Sequence, residues 1–299
     1  SNWQWLLLWP AAIVVVFGLL QVFVLPKDFL SFFGYSTMTI EPFETINNDN
    51  QFVRIASTLR GPNALGAYLL IPLSVLGILI LKGKQNRKQL ALFVGALAVL
   101  FFSFSRSAWI GAFLALAVIF LVKYPKIYAK RSFFLVSSGI LAVAIVGFVL
   151  LQDNTRFQNI VWHTNDNSTV QTSSNSVRAD ALADGADDLA NEPLGEGPGT
   201  AGPASVYNDG KARIAENYYM QIAQETGWIG LIAFLLINVG VGYLLWLRRT
   251  DTLALGLLAS LIGISFINLL SHAWTDDTIA YIWWGLAGIA MIKSKKTDE

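Results

Sequence analysis

The chain has 299 residues, of which 54% are hydrophobic and 14% are charged, with a formal net charge of +1. Its mean hydropathy is +0.52. Soluble domains carry about 25% charged residues, so the composition excludes a soluble globular protein and indicates an integral membrane protein. The sequence has no cysteine and only two histidines, which excludes disulfides, a cysteine nucleophile and a histidine-rich metal site.

Apolar runs that cross about 30 Å of hydrocarbon need about 17–25 residues. The sequence predicts about eight transmembrane helices, at residues 3–25, 62–81, 89–104, 107–122, 132–151, 217–247, 252–270 and 278–292. The predicted fold class is an all-α integral membrane protein, with residues 1–299 as a single polytopic domain. Because the first run follows only two residues and no initiating Met is present, we expect further N-terminal spans upstream of this sequence.

Several of these runs are separated by short connectors rich in Lys and Arg. The connectors at 82–88, 123–131, 248–249 and 293–296 hold four, four, two and three of the 21 basic residues. Short basic connectors lie in the cytoplasm. Two long loops, residues 26–61 and 152–216, are therefore predicted to be extracytoplasmic, and the second is predicted to be partly helical.

Two arginines, Arg54 and Arg60, stand just before the run at 62–81 in "VRIASTLRGPNALGAYL". Pro62 suits the first turn of a helix, and helix N-termini favour anions. The arrangement predicts either a phosphate cradle or a contact with lipid headgroups.

The stretch "FFSFSRSAWIG" places Arg106 at the outer tip of a tight helical hairpin, because Lys88 and Lys123 flank it on the same side. Each arm is only about 15–16 residues, which is short for a crossing, so Arg106 is expected to be recessed below the surface. An arginine at mid-membrane costs about 2.5–3.5 kcal/mol or more and usually marks an ion or substrate site. The alternative is an arginine that reaches up to headgroup phosphates.

A short acidic helix is predicted from Asn175 or Ser176 to Asn191, and it carries Arg178. Arg178 is a candidate anion ligand, or the partner of Asp184 on a solvated face. The following "EPLGEGPGTAG" resembles a phosphate-binding loop only superficially, because no strand precedes it. We expect a turn that supports the loop.

The segment 212–249 begins with many polar residues and ends as an apolar span. On a helix that starts at Glu216, one face would hold Asn217, Gln221, Gln224, Glu225 and Trp228. Lipid cannot satisfy such a face, so it should border a cavity or partner groups. Glu216, three residues after Arg213, is either a carboxylate favoured by the helix dipole or a general base at the membrane surface.

A last polar connector, "SHAWTDDT", contains His272, Asp276 and Asp277. The spacing is loose and no third histidine supports a metal site. We expect a polar rim lined with aromatic residues.

Four stretches together resemble one family, the O-antigen ligase and O-antigen polymerase superfamily of bacterial membrane glycosyltransferases. They are "RIASTLRGPNALGAYL", "FSFSRSAWIGAFLAL", "VRADALADGADDLANEPLGEGPG" and "ENYYMQIAQETGWIGLIAF". The last resembles the family's closing signature, His-Asn-x-x-Leu followed by Glu-x-Gly-x-x-Gly. Ligases commonly have His where this chain has Glu216; both accept a proton, and the difference leaves a polymerase or another glycan transferase open.

The resemblance implies an enzyme without a metal or other cofactor in the bacterial cytoplasmic membrane, with its active site facing outward. It would transfer a glycan from a polyprenyl-diphosphate donor to a hydroxyl of a glycan, lipid or protein acceptor, with no nucleic acid involved. The implied catalytic residues are Arg106 and Arg178, which hold the diphosphate because guanidinium pairs phosphate bidentately, and Glu216, which orients or deprotonates the acceptor. The implied substrate-binding residues are Arg54, Arg60, Arg213, Asn217 and Gln221.

Two other function classes stay open from the residues alone. A transporter of a polar or anionic solute would use Glu225 and the polar face as its path. A scaffold that binds a lipid-linked glycan would keep the arginines without needing Glu216.

Overall fold

A computed structural model describes residues 3–36, 38–46, 49–126, 146, 148–152, 154, 158, 174–208 and 212–292. Its helices are α1 (Trp3–Phe23), α2 (Pro62–Leu81), α3 (Arg87–Phe102), α4 (Arg106–Lys123), α5 (Ser174–Asn191), α6 (Tyr218–Leu247), α7 (Thr252–Ile267) and α8 (Asp277–Met291). Short 3-10 helices span Phe29–Phe33, Gly202–Tyr207 and Ala273–Thr275. Two antiparallel strands, β1 (Glu44–Ile46) and β2 (Asp49–Arg54), form a small hairpin.

The helices begin where local sequence supplies partners for their first amides. Asn86 and Gln89 form a capping box at the start of α3, each side chain accepting from the other's backbone amide. Asp251 caps α7 and Asp276 caps α8, each through two backbone amides. Pro62 occupies the first turn of α2, where a missing amide hydrogen costs nothing.

Helix α2 forms the centre of the bundle, packed against α4 and α7. Small residues let these backbones approach closely: a Cβ added to Gly66 would lie 2.5 Å from the Cβ of Ala108. A Cβ added to Gly263 would lie 2.5 Å from the carbonyl oxygen of Gly111. Close packing of this kind drives helix association in lipid, where apolar burial between helices gains little.

The helical membrane character predicted from the sequence is confirmed. Within the described residues four helices, α1, α2, α4 and α6, are long and apolar enough to cross a membrane, and α7 is a shorter apolar helix. Helices α3 and α8, with 16 and 15 residues, occupy the predicted runs at 89–104 and 278–292. The predicted span at 132–151 lies mostly outside the described residues, so the number of eight spans stays a prediction.

The loop at 26–61 is structured and tied to the bundle. Its hairpin adds a small sheet to the all-α architecture. Ser57 is buried, its hydroxyl donates to the carbonyl of Val14 (2.6 Å), and its amide donates to Gln21 Oε1 (2.7 Å). The amide of Ile55 donates to the carbonyl of Phe102 at 3.3 Å, so the loop spans from α1 to the turn between α3 and α4.

Several connectors meet at one end of the bundle, which we call the loop end and define as residues 54–63, 102–106, 213–218 and 268–277. The amide of Tyr218 donates to the carbonyl of Asn268 at 2.8 Å. Arg60 reaches Asp277 at 3.3 Å. The helix starts and ends at 62, 106, 218, 267 and 277 therefore share this end.

Candidate functional site

The site begins at the first turn of α6, where polar residues precede the apolar helix. Asn217 caps α6, its Oδ1 accepting from the amide of Met220 at 3.0 Å. Its Nδ2 donates to the carbonyl of Leu269 at 3.2 Å. The Asn217 side chain thus caps α6 through Oδ1 and fastens it through Nδ2 to the connector between α7 and α8.

The predicted helix start at Glu216 is wrong by two residues. Glu216 lies outside α6 with a φ of +47°, a left-handed conformation that non-glycine residues rarely adopt. Glu216 is therefore not part of the helical face of α6. Such conformations cost about 1–3 kcal/mol and cluster at functional sites.

A second departure from the predicted helix occurs at Gly227, where α6 contains a non-helical residue with φ of +67°. The single polar face that was predicted to run on to Trp228 therefore stops one residue earlier. The amide of Trp228 donates to the carbonyl of Pro193 at 3.1 Å instead of continuing the helix. Only glycine fits here, because a Cβ on Gly227 would overlap the backbone of Pro193 and Leu194.

The turn at residues 193–199 hydrogen-bonds to this break in α6. The amides of Glu196 and Gly197 donate to the carbonyls of Gln224 and Glu225, at 3.0 and 2.9 Å. The glycine-rich stretch supports the loop, as the sequence predicted. It supplies backbone amides to the helix break.

Glu225 takes part in the same junction. Its Oε1 accepts from the amide of Gly199 and from Nε2 of Gln221, both at 3.2 Å. Gln221 is 8% exposed, and its Oε1 has no hydrogen-bond partner among the described residues. The interior polar residues of α6 thus hold the loop against the helix.

Arg213 lies among carboxylates from α5 and the turn that follows it. Its side chain contacts Asp188 at 3.5 Å, Glu192 at 3.4 Å and Glu196 at 2.6 Å. Partial burial acts to lower the pKa of Arg213, but the carboxylates of Asp188 and Glu196 outweigh it and raise that pKa. These three carboxylates more than offset the positive charge of Arg213.

A cavity of about 1010 Å³ opens beside this cluster. Its lining includes five acidic residues and one arginine: Asp180, Asp184, Asp187, Asp188, Glu196 and Arg213. Ala215, next to Glu216, and Gln224 of α6 border it as well. Gln224 is 4% exposed, its Nε2 donates to Asp188 at 2.8 Å, and its Oε1 has no partner among the described residues. A volume of this size suits a small-molecule or oligosaccharide segment, and its negative lining favours hydroxyl and amine donors.

Arg54 is held by three groups of the protein. Its guanidinium contacts Glu44 at 3.0 Å, the carbonyl of Ser103 at 3.1 Å and Oδ1 of Asn63 at 2.8 Å. Its side chain is 13% exposed. Arg54 thereby joins β1, the start of α2 and the turn before α4.

The other arginines of the candidate set lie in three different settings. Arg60 is exposed and pairs with Asp277 at 3.3 Å. Arg106 is half-buried and is the first residue of α4, after Ser105. The backbone of Arg178 lies in α5, and its side chain falls outside the described residues.

His272 is a further candidate for the site. The sequence predicted only that it would lie in a polar rim. It lies between α7 and α8, and neither Nδ1 nor Nε2, both buried, has a hydrogen-bond partner among the described residues. Burial lowers the pKa of His272, and the nearby carboxylate of Glu216 acts in the opposite direction. His272 lies 56 positions after Glu216, so no sequence spacing relates the two residues.

The described residues contain no group of three His, Asp or Glu side chains that could hold a metal ion. The acidic cavity therefore has the charge of a cation site without the convergent ligands that such a site requires.

Residues 91–235 match the family model described as O-antigen ligase. The matched segment contains Arg106, Arg178, Arg213, Glu216, Asn217 and Gln221, whereas Arg54, Arg60 and His272 lie outside it. No curated protein matches the chain. The match confirms the resemblance inferred from the sequence motifs and supports membrane-bound glycan transfer of the O-antigen ligase type.

Proposed function

We propose that this chain, which resembles the O-antigen ligase family over residues 91–235, moves a glycan from a polyprenyl-diphosphate donor to an acceptor hydroxyl. The transfer would take place at the outer face of the bacterial cytoplasmic membrane. The observation that carries the proposal is that the matched segment delivers Arg106 and Glu216 to the same end of the bundle.

Packing between helices supports this shared position. Gly111, in the second turn of α4, lies against Ile267, the last residue of α7: a Cβ on Gly111 would be 3.1 Å from the side chain of Ile267. Asn268 follows directly and accepts from the amide of Tyr218 at 2.8 Å. The start of α4, with Arg106, and the segment before α6, with Glu216, therefore both lie near the C-terminal end of α7.

Arg106 and Glu216 suit the negative charge that develops on the leaving diphosphate and the proton that the acceptor hydroxyl loses. Arg106, with Arg178 of the loop helix, would hold the diphosphate and stabilise its negative charge as it leaves. Glu216 would accept the proton of the acceptor hydroxyl as its oxygen bonds to the anomeric carbon. No metal ion is needed in this scheme, because the arginines supply the positive charge.

The acidic cavity is assigned to the glycan. Carboxylates accept hydrogen bonds from sugar hydroxyls, whereas a diphosphate would meet like charge there. Arg213, engaged by three carboxylates, then shapes the cavity and makes no phosphate contact. Arg54 would hold the loop at 26–61 against the turn that precedes Arg106. Arg60, which is exposed, is the remaining candidate to contact the diphosphate as the donor binds.

A transporter is the second class to be tested. It was suggested by Glu225 and the polar face of α6. Glu225 accepts hydrogen bonds from Gly199 and Gln221, so its carboxylate fastens the loop to the helix. That contact favours the transferase over a solute path through α6.

The decisive experiment incubates the purified protein with a polyprenyl-diphosphate oligosaccharide and a panel of glycan, lipid and protein acceptors. Release of polyprenyl diphosphate together with glycosylated acceptor supports the proposal. A divalent-metal chelator should leave the rate unchanged. Uptake of the oligosaccharide into proteoliposomes without release of polyprenyl diphosphate would favour the transporter.

The outward orientation is tested by cysteine labelling, since the chain contains no cysteine of its own. Asp187→Cys should react with an impermeant maleimide added outside intact cells. Lys126→Cys should react only after the cells are opened. The reverse pattern would contradict the orientation.

A further inference from the structure

One face of α5 is acidic and borders the cavity beside Arg213. Asp180, Asp184, Asp187 and Asp188 line that cavity, and their spacing of four, three and one residues places them on one side of the helix. Asp180 and Asp187 are exposed and form no ion pair with any residue that the structure describes. An acidic helix face is often only solvated, so its charge does not by itself define a ligand.

The buried amide of Gln224 is a second, independent feature of this cavity. Gln224 lines the cavity from α6, and only 4% of the residue is exposed. Its Nε2 donates to Asp188 at 2.8 Å, whereas its Oε1 is buried with no hydrogen-bond partner among the described residues. Because Asp188 also lines the cavity, the unpartnered oxygen of the same amide group lies at the cavity wall. Buried polar atoms nearly always have a partner, so this oxygen calls for a ligand that donates a hydrogen bond.

The side-chain donors of the described cavity wall are already used by the protein. Four lining residues carry such donors: Thr200, Asn208, Arg213 and Gln224. Arg213 contacts three carboxylates through Nε and Nη1. Thr200 Oγ1 and Asn208 Nδ2 donate to backbone carbonyls at 2.7 and 2.9 Å, and Gln224 Nε2 donates to a carboxylate. Towards a ligand the wall therefore presents carboxylate and amide oxygens, which accept hydrogen bonds.

Acceptor atoms combined with negative charge suit a protonated amine. An ammonium group has three donors and no acceptor, and its positive charge complements the lining. A sugar hydroxyl donates one hydrogen bond but also brings acceptor lone pairs, for which the wall has few side-chain donors left. A phosphate or a carboxylate brings only acceptors and like charge. A metal ion is a poorer match, because the described residues contain no group of three His, Asp or Glu side chains that could hold one.

We propose that the cavity binds a glycan with free amino groups, whose ammonium groups lie against the acidic face of α5 and donate to Oε1 of Gln224. This inference rests on the proposed function, because it names the class of glycan that the transferase handles. A volume of about 1010 Å³ suits an oligosaccharide segment. Asp180 and Asp187 lie about 10 Å apart along the axis of α5, so they suit amines on different sugar units.

The first test compares two hexasaccharides that differ only in their amines. Hexaglucosamine has a free amine on every sugar, and chitohexaose is the same chain with every amine acetylated. Calorimetric titration of the purified protein, in a non-ionic detergent at low ionic strength, should show binding at least about tenfold tighter for hexaglucosamine. Two exposed ammonium–carboxylate pairs, each contributing about threefold, account for that ratio. Equal affinities would overturn the inference.

The second test locates the bound amines. The double variant Asp180→Asn with Asp187→Asn removes two exposed charges from the cavity wall, so the ratio of the two affinities should narrow by about three- to tenfold. The double variant Asp28→Asn with Glu41→Gln is the matched control, because it removes the same net charge from exposed carboxylates outside the cavity lining. The control should keep the parent ratio. An equal decrease in both double variants would mean that hexaglucosamine responds only to net charge, and it would overturn the site.

A free polyamine tests whether the sugar chain matters. Spermidine offers the same ammonium chemistry without a sugar, and it should not displace hexaglucosamine from the parent protein when both are present at the same concentration of amino groups. Displacement under those conditions would assign the cavity to free polyamines and overturn its assignment to an amino glycan.

The binding measurements do not depend on turnover, so they separate this inference from the proposed function. A parent protein that releases no polyprenyl diphosphate but prefers hexaglucosamine overturns the function and supports the amine site. A parent that transfers glycan yet binds the two hexasaccharides equally overturns only the amine site.

Discussion

Helices α2 and α6 are both apolar enough to span a membrane, yet the protein buries them very differently. In the most apolar part of α2, 83% of residues are buried, against 6% in α6. Helix α2 packs against α4 and α7, where glycines allow close contact. Helix α6 is attached mainly through its polar first turns, which hold Gln221 and Gln224 among its few buried residues.

From this difference we infer that the packing that stabilises the protein and the proposed catalytic residues lie in separate parts of the molecule. The glycine contacts between α4 and α7, beside α2, hold the bundle together, and the proposed catalytic residues Arg106 and Glu216 lie at the loop end. Changes in the first region should act on folding, and changes in the second should act on turnover. Four substitutions test this division, from the largest expected effect to the smallest.

The largest effect is expected for Gly263→Leu. A Cβ at this position would lie 2.5 Å from the carbonyl oxygen of Gly111 and 2.6 Å from the side chain of Leu70. Overpacking of this kind costs about 3 kcal/mol, so most of the protein should be lost from the monodisperse fraction in detergent. Gly240→Leu in α6 is the matched control, because a Cβ there meets no atom within 4 Å. Equal stability of the two variants would contradict the division.

The next effect concerns Glu216→Gln, which keeps size and hydrogen bonding but removes basicity. If Glu216 is the general base, turnover should fall about a hundredfold or more, while the melting temperature stays near that of the parent. Glu216→His, the residue common in ligases, should retain part of the activity. Glu41→Gln, on an exposed carboxylate, is the control. Turnover of Glu216→Gln within about threefold of the parent would remove Glu216 from the catalytic residues and favour the scaffold.

Arg106→Lys should lose most of the transfer activity, about tenfold or more, and still fold. Lysine keeps the positive charge but cannot reproduce the planar fork that pairs two phosphate oxygens. Arg249→Lys is the matched control at the opposite end of the bundle, where the guanidinium stacks on Trp246 at 4.5 Å. Parent-like activity in Arg106→Lys would make Arg106 a headgroup contact.

The smallest effect is expected for Asp187→Asn at the acidic cavity. Maltohexaose should inhibit transfer at a lower concentration than hexagalacturonate, because the carboxylate lining repels an anionic glycan. Removing one exposed charge contributes below about 1 kcal/mol, so the ratio of the two inhibition constants should narrow by about threefold or less. Asp28→Asn, an exposed carboxylate outside the cavity lining, should leave the ratio unchanged. Stronger inhibition of the parent by hexagalacturonate would contradict the assignment of the cavity to a neutral or cationic glycan.

Much of the architecture could be predicted from the sequence because it follows local rules. Apolar runs predicted the helices, and Pro62 predicted where α2 begins. The start of α6 was predicted two residues early, and its break at Gly227 was not predicted. The break depends on amides from a turn about 30 residues earlier, and no local pattern carries that information.

The sequence by itself determined the membrane class, the family resemblance and the residue types available for phosphate and proton chemistry. These depend on composition and motif order, which are properties of the linear chain. The tertiary structure decided which of those residues are engaged. Arg54 and Arg213 were predicted from the sequence to bind substrate, and the fold surrounds both with groups of the protein. It also brings Asn217 and Tyr218 against the connector between α7 and α8, because hydrogen bonds depend on distance in space, and only the packed helices set that distance.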